Sequence, residues 1–145
     1  MQASRLKYWE ELTWARVKLK ISLLFSAASK PSQKGDIETL KTLFSPDANW
    51  NQAEAGVLRG NYQGVQAILE FFGQLAHETE GSLRVEVLTM AASGDHVLVF
   101  ERVTGTRKGK TLETKEALVF KLDNGVVTEV TELQSDYPAV AQFWS

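Results

Sequence analysis

The apolar positions along this chain keep two different rhythms. Leu6, Trp9, Leu12, Val17, Ile21, Leu24 and Ala28 return at helical spacing, which predicts a first amphipathic helix, either continuous or broken near Thr13. Pro31 ends it, because proline lacks the amide donor and clashes with the preceding turn. Asp36 is placed to cap a short second helix whose inner face is Ile37, Leu40, Leu43 and Phe44. Ser45-Pro46-Asp47 then turns the chain into a short strand over 49–52. A glycine-bearing loop, 56–64, leads to a third helix over 65–78 with Val65, Ile68, Phe72 and Leu75 as its stripe and Gly81 closing it.

After Gly81 the period changes from helical to alternating. Segments 83–92, 96–106, 111–122 and 126–134 read as four strands, joined by three short turns that each carry a glycine. Such turns predict an antiparallel meander. The last segment, 138–144, is expected to fold back over an open edge or mouth. Helices followed by a twisted meander predict an α+β domain: a cone-shaped, curved antiparallel sheet wrapped around helices. Inward-facing alternate residues would line a pocket at the wide end. Residues 1–30 are read as an N-terminal helical segment of the same domain and 31–145 as its α+β body.

Composition narrows the function classes. The 145 residues suit one domain, and 43% hydrophobic with 23% charged residues is ordinary globular composition. A net charge of -2, with Lys and Arg spread along the chain, gives no basic face for nucleic acid. No cysteine is present, which excludes disulfides, thiolate metal sites and cysteine nucleophiles and fits a reducing compartment, the cytoplasm by default. With only His77 and His96, a histidine-rich metal site is not expected. The longest apolar stretch, 21–28, falls far short of the ~20 residues of a membrane span. Neither membrane nor cofactor is called for.

Several motifs in order resemble one family. Gly35-Asp36-Ile-Glu-Thr-Leu and Phe44-Ser-Pro-Asp-Ala-Asn-Trp50 are similar to the helix-to-strand signature of SnoaL-like proteins. Arg59-Gly-Asn-Tyr-Gln-Gly64 with Ala67-Ile-Leu-Glu-Phe-Phe72, then Val103-Thr-Gly-Thr-Arg107, Phe120-Lys-Leu-Asp-Asn-Gly125 and Ala139-Val-Ala-Gln-Phe-Trp-Ser145, continue the match. The resemblance implies the nuclear transport factor 2-like superfamily and its cystatin-like α+β barrel. It embraces ketosteroid isomerases, polyketide cyclases, limonene-type epoxide hydrolases, dehydratases and binding or scaffold domains, so it implies a pocket rather than one reaction. In the isomerases a carboxylate near the end of the first strand is the base. Asn51 or Gln52 stands there in this chain, and an amide takes no proton at neutral pH. Leu118 stands where many relatives carry a histidine.

Other residue types must therefore carry any chemistry. Alternation places Glu116 on the apolar face of Leu112, Thr114, Leu118, Phe120 and Leu122, where a carboxylate would gain a raised pKa and serve as acid or base. Its plainer role is at the rim or paired with Arg102. Glu101 shares a face with Val97, Val99 and Val103, while Arg102 follows Leu98 and Phe100; one of the two must point inward, and a cross-strand ion pair is the favoured reading. Glu116, Arg102 and Glu132 supply the types for an acid–base site, with Arg102 stabilising negative charge. Trp50, Asn51, Gln52, Tyr62, Phe72, Leu118, Phe120 and Trp144 are the candidate binding residues, although most aromatic residues serve as core. His77 reads as a helix-end residue and His96 as exposed.

The expected function is binding of a small hydrophobic molecule in an apolar pocket, with cofactor-free acid–base chemistry of the isomerase, cyclase, dehydratase or epoxide hydrolase type. The rival is a non-catalytic ligand-binding or dimerisation domain. Tyr8, Trp9 and Trp14 give the first segment an apolar patch that would lid the pocket or dock on a second subunit. A homodimer through the sheet face or this helix is expected.

Overall fold

The computed structural model describes residues 34–52, 57–58 and 60–145. The predicted first helix and its partner or lid role lie outside these residues. Within them the order is α1 (Lys34–Leu43), β1 (Phe44–Gln52), β2 (Gly60–Gln63), α2 (Val65–Glu78), β3 (Arg84–Ser93), β4 (His96–Arg107), β5 (Lys110–Asp123), β6 (Val126–Gln134) and α3 (Tyr137–Trp144).

The meander is as the alternating pattern predicts: β3, β4, β5 and β6 pair antiparallel in sequence order. Two of its turns use the left-handed backbone that a tight hairpin needs, with φ of 50° and 75° at Lys108-Gly109 and 49° and 77° at Asn124-Gly125. α2 keeps its predicted bounds and buries Ile68, Phe71 and Phe72. Gly81 closes its end, its amide donating to the Ala76 carbonyl at 2.9 Å.

Three expectations are corrected. α1 begins at Lys34, two residues ahead of Asp36, so Asp36 lies inside the helix instead of capping it. β1 begins at Phe44 and runs through Ser45-Pro46-Asp47, where a turn was expected. A register shift between Phe44 and Asn49 absorbs the proline, whose missing donor a bulge tolerates. The glycine-bearing loop contains β2, which pairs antiparallel with β1. Its burial alternates, but four residues with one aromatic give too short a pattern to read.

The strand order is β2-β1-β6-β5-β4-β3. β1 joins β6 in parallel, so the sheet is mixed rather than purely antiparallel. β2 and β3 remain as edges, and the curved sheet does not close into a barrel. α2 and α3 pack over the inner face, where Trp50, Val99, Leu118, Phe120, Val130, Val140 and Phe143 join one buried cluster. Bulges between Val87 and Thr89 and between Lys121 and Leu122 change which alternate residues face inward, so Val127 and Val130 are both buried on β6. On the outer face, Phe100 and Leu133 flank Ala117 in one cross-strand row, and Leu98 lies nearby; all three large side chains are exposed.

α3 is fixed to this frame at both ends. The Asp136 side chain accepts from the Ala139 amide at 3.1 Å, an N-terminal cap followed by Pro138 in the first turn. At the other end Arg107, reaching from β4, donates to the carbonyls of Phe143 at 3.2 Å and Ser145 at 2.9 Å.

Candidate functional site

Between the sheet and the two helices lies a cavity of about 60 Å³, several times the ~10–15 Å³ that one water needs. Trp50 and Gln52 of β1, Phe71, Phe72 and Leu75 of α2, Val140 and Trp144 of α3, Leu83 just ahead of β3 and Val85 within it form most of its wall. The remaining wall comes from β4, β5 and β6, and it contains three carboxyl groups: Glu101, Glu116 and Glu132.

Sheet register explains how they meet. Glu101 stands directly opposite Glu116, and Glu116 directly opposite Gln134, so one row across β4, β5 and β6 carries two acids and an amide. The next row sets Val99, Leu118 and Glu132 side by side. Two ionised carboxylates directly opposed in a low-dielectric interior repel strongly, and the usual relief is that one keeps its proton. Here that one is Glu101, whose side chain is 1% exposed. Burial pushes its carboxyl up to about 11, with a further rise from the hydrogen bond and charge of Glu116. Glu101 Oε2 has no hydrogen-bond partner among the described residues. Glu116 accepts a short hydrogen bond from Gln134 Nε2.

Glu132 accepts from Trp50 Nε1 at 2.8 Å, a buried bond that fixes the indole against Phe72. Hydrogen bonds to charged groups contribute about 1.5–3 kcal/mol. Trp50→Phe is therefore expected to lower stability by roughly that amount, because a buried acceptor loses its donor. Chemical denaturation of the variant, with Trp50→Tyr beside it, measures the loss.

The predicted site residues divide between the cavity and its surroundings. Glu116, Glu132, Trp50, Gln52, Phe72, Leu118 and Trp144 line it. Asn51 alternates to the other face of β1, where its side-chain oxygen accepts from Asn49 at 3.1 Å. Tyr62 lies one layer behind, stacked on Phe71 at 4.3 Å and donating to the Leu58 carbonyl at 2.7 Å. Burial raises its phenol pKa, as does the charge of Glu132. Phe120 is fully buried core beneath Trp50.

Arg102 is the clear correction. It points to the outer face and pairs with Glu86 at 2.8 Å, leaving the inner position on β4 to Glu101. The reason is chemical: a carboxyl can enter an apolar interior by taking a proton, whereas a guanidinium cannot shed its charge. His77 in the last turn of α2 is exposed, and the half-buried His96 contacts Asp95 at 2.7 Å.

Sequence reasoning passed over Glu101 as an acid, and also Gln134, Thr114 and Val140 in the wall. The signal for Glu101 was present, since it shares the parity of Val97, Val99 and Val103. Among the described residues, no three His, Asp or Glu side chains are placed to hold a metal ion.

Comparison with known proteins agrees with this geometry. Residues 30–130 match the SnoaL-like domain. The chain belongs to the SnoaL-like family. An uncharacterized protein of Mycobacterium tuberculosis is 26% identical over 113 residues, which are 77% of this chain and 86% of that protein. The solved structure of Bal32a, from a soil-derived mobile gene cassette, superposes with a TM-score of 0.81 at 29% identity, covering 90% of this chain and 98% of that one. A protein of unknown function with a cystatin-like fold from Xanthomonas campestris gives 0.75 at 23% identity, covering 89% and 98%. That last likeness is one of fold: the SnoaL-like chain described here shares its cystatin-like architecture. No described helix is long and apolar enough to cross a membrane.

Proposed function

We propose that this SnoaL-like domain binds a small, largely apolar organic molecule in the cavity and performs acid–base chemistry on it. The observation that carries the reading is the opposed pair Glu101–Glu116 at the cavity wall, with Glu101 buried and its carboxyl raised by that burial and by Glu116. A carboxyl that keeps its proton beside a second carboxyl supplies a proton donor and a proton acceptor at one site. Glu101, protonated, donates to an oxygen of the substrate. Glu116, oriented by Gln134, removes a proton from an adjacent carbon. The carbon–hydrogen bond breaks, its electron pair forms the enol double bond, and the Glu101 proton ends on oxygen. Return of a proton at another carbon completes an isomerisation, while other fates of the enol give cyclisation or dehydration. Trp50, Phe72, Leu118 and Trp144 hold the carbon skeleton and Gln52 offers a polar contact.

Deuterium exchange tests this without knowledge of the natural substrate. Small β,γ-unsaturated cyclic ketones in deuterated buffer are expected to gain deuterium and isomerise in the presence of the protein. Glu101→Gln should slow this by about 100-fold or more, the usual contribution of a positioned acid or base. Saturable binding of the ketones with no exchange above buffer would replace the enzyme reading with a purely binding one. Exposed Leu98, Phe100 and Leu133 support the expected self-association through the outer face of the sheet.

A further inference from the structure

The polar part of the cavity is one-sided in charge. Its wall carries Glu101, Glu116 and Glu132, together with the amides Gln52 and Gln134 and the hydroxyl of Thr114, and among the described residues no Lys, Arg or His lines it. Glu101 Oε2 is buried without a hydrogen-bond partner among the described residues, on a side chain 1% exposed. Glu116 across from it receives an uncharged donor, the Gln134 amide. Burying the Glu101 oxygen without a partner is costly unless something arrives to satisfy it.

The apolar part is aromatic. Trp50 meets Phe72 edge-on at 5.2 Å and Phe71 at 5.9 Å, and Trp144 faces the same space from α3. Ring faces attract cations, most strongly where water is excluded. A cavity with acids on one wall and indole and phenyl rings on the others repels anions and suits a positive charge wrapped in carbon. Among the described residues the acids do not converge as ligands for a metal ion, and the rings beside them suit an organic cation.

We infer that the ligand of this cavity carries an alkylammonium group, seated against Glu116 with the unpartnered Glu101 Oε2 as a neutral acceptor beside it, and with its carbon substituents against Trp50, Phe72 and Trp144. The inference rests on the cavity reading above and names its substrate class. No covalent step is involved in the recognition itself.

Three probes of similar size separate the possibilities: N-methylpyrrolidine, which is cationic at neutral pH, its hydrocarbon counterpart methylcyclopentane, and the anion cyclopentanecarboxylate. Titration of each into the full chain, followed by the indole NMR signals, gives the affinities. The amine is expected to bind at least about tenfold more tightly than either of the others, the scale of a desolvated cation against rings and acids. In Glu116→Gln that preference should fall to within about threefold, with a single cooperative melting transition as the control for folding. Methylcyclopentane binding as tightly as the amine to the unaltered protein would overturn the ammonium inference and leave the cavity reading standing. Tighter binding of the carboxylate would also overturn it. Failure of all three to bind would overturn both.

Discussion

Glu101→Gln is expected to make the protein more stable near neutral pH while removing its proton donor. The carboxyl of Glu101 is raised from 4.5 to about 11 by burial first and by Glu116 second. Between those values the folded chain holds a proton that the unfolded chain has released, so stability falls as pH rises through the window. The contribution is fully present below about pH 4.5 and lost progressively towards pH 11. By pH 7 the 2.5 units above 4.5 correspond to about 3 kcal/mol. Glutamine has nearly the same shape, never ionises, and can donate to Glu116 where the protonated acid did. Thermal melts from acid to alkaline pH should show a gain on the order of 10 °C near pH 7, shrinking as pH falls, with a flatter profile throughout. A variant that melts lower at every pH would contradict the assignment. Such a trade of stability for a poised group is common at functional sites.

Arg107→Ala is expected to lower stability by about 3 kcal/mol, the upper end for hydrogen bonds made by a charged group. The Arg107 side chain is 1% exposed and joins three elements. Its Nε donates to Glu78 of α2 at 2.9 Å, one Nη donates to carbonyls at the end of α3, and the guanidinium lies 5.8 Å from the Trp144 ring. The same contact holds the Glu78 carboxyl below the usual carboxylate range. Lys110 adds bonds to Gln142 and Ser145 on the surface. Loss of Arg107 should therefore free α3, with its two wall residues Val140 and Trp144, before the sheet unfolds. Urea denaturation gives the magnitude. Quenching of tryptophan fluorescence in the absence of denaturant reports whether Trp144 has become accessible. Arg107→Lys should recover only part of the loss, because an ammonium cannot reproduce the planar fork.

These expectations rest on features that were unequally visible in the sequence. The meander was legible because each strand alternates over eight residues or more and each connection carries a glycine at the turn. α2 was legible because Val65, Ile68, Phe72 and Leu75 keep one stripe between two glycines. β2 was hidden by its length and the early start of β1 by Pro46, both cases in which pairing with neighbouring strands overrides local signals. The parallel joint of β1 to β6 is a long-range contact that no local pattern encodes.

The site was legible by strand but not across strands. Alternation put Glu116 on the inner face correctly, because its neighbours Leu118 and Phe120 are strongly apolar. It also offered Glu101 beside Val99 and Val103, yet a single strand cannot say which residue stands opposite. Only the register of β4 on β5 turns two separate acids into a pair. Arg102 looked like their counter-charge because it is adjacent in sequence, and adjacency in a strand means opposite faces. Arg107 was placed at a turn and counted in the family motif, although its last inward position on β4 is what lets it reach α3.

The protonation of Glu101 is the point at which fold, stability and chemistry meet, and it can be observed directly. Carbon-13 labelling of glutamate, with Glu101→Gln to identify the resonance, allows its carboxyl carbon to be titrated by NMR. The account predicts a signal that stays in the protonated position through neutral pH and moves only on the alkaline side, with its midpoint towards about 11. A midpoint near the ordinary 4.5 would contradict it, leaving Glu101 ionised at neutral pH and no acid for the proposed reaction.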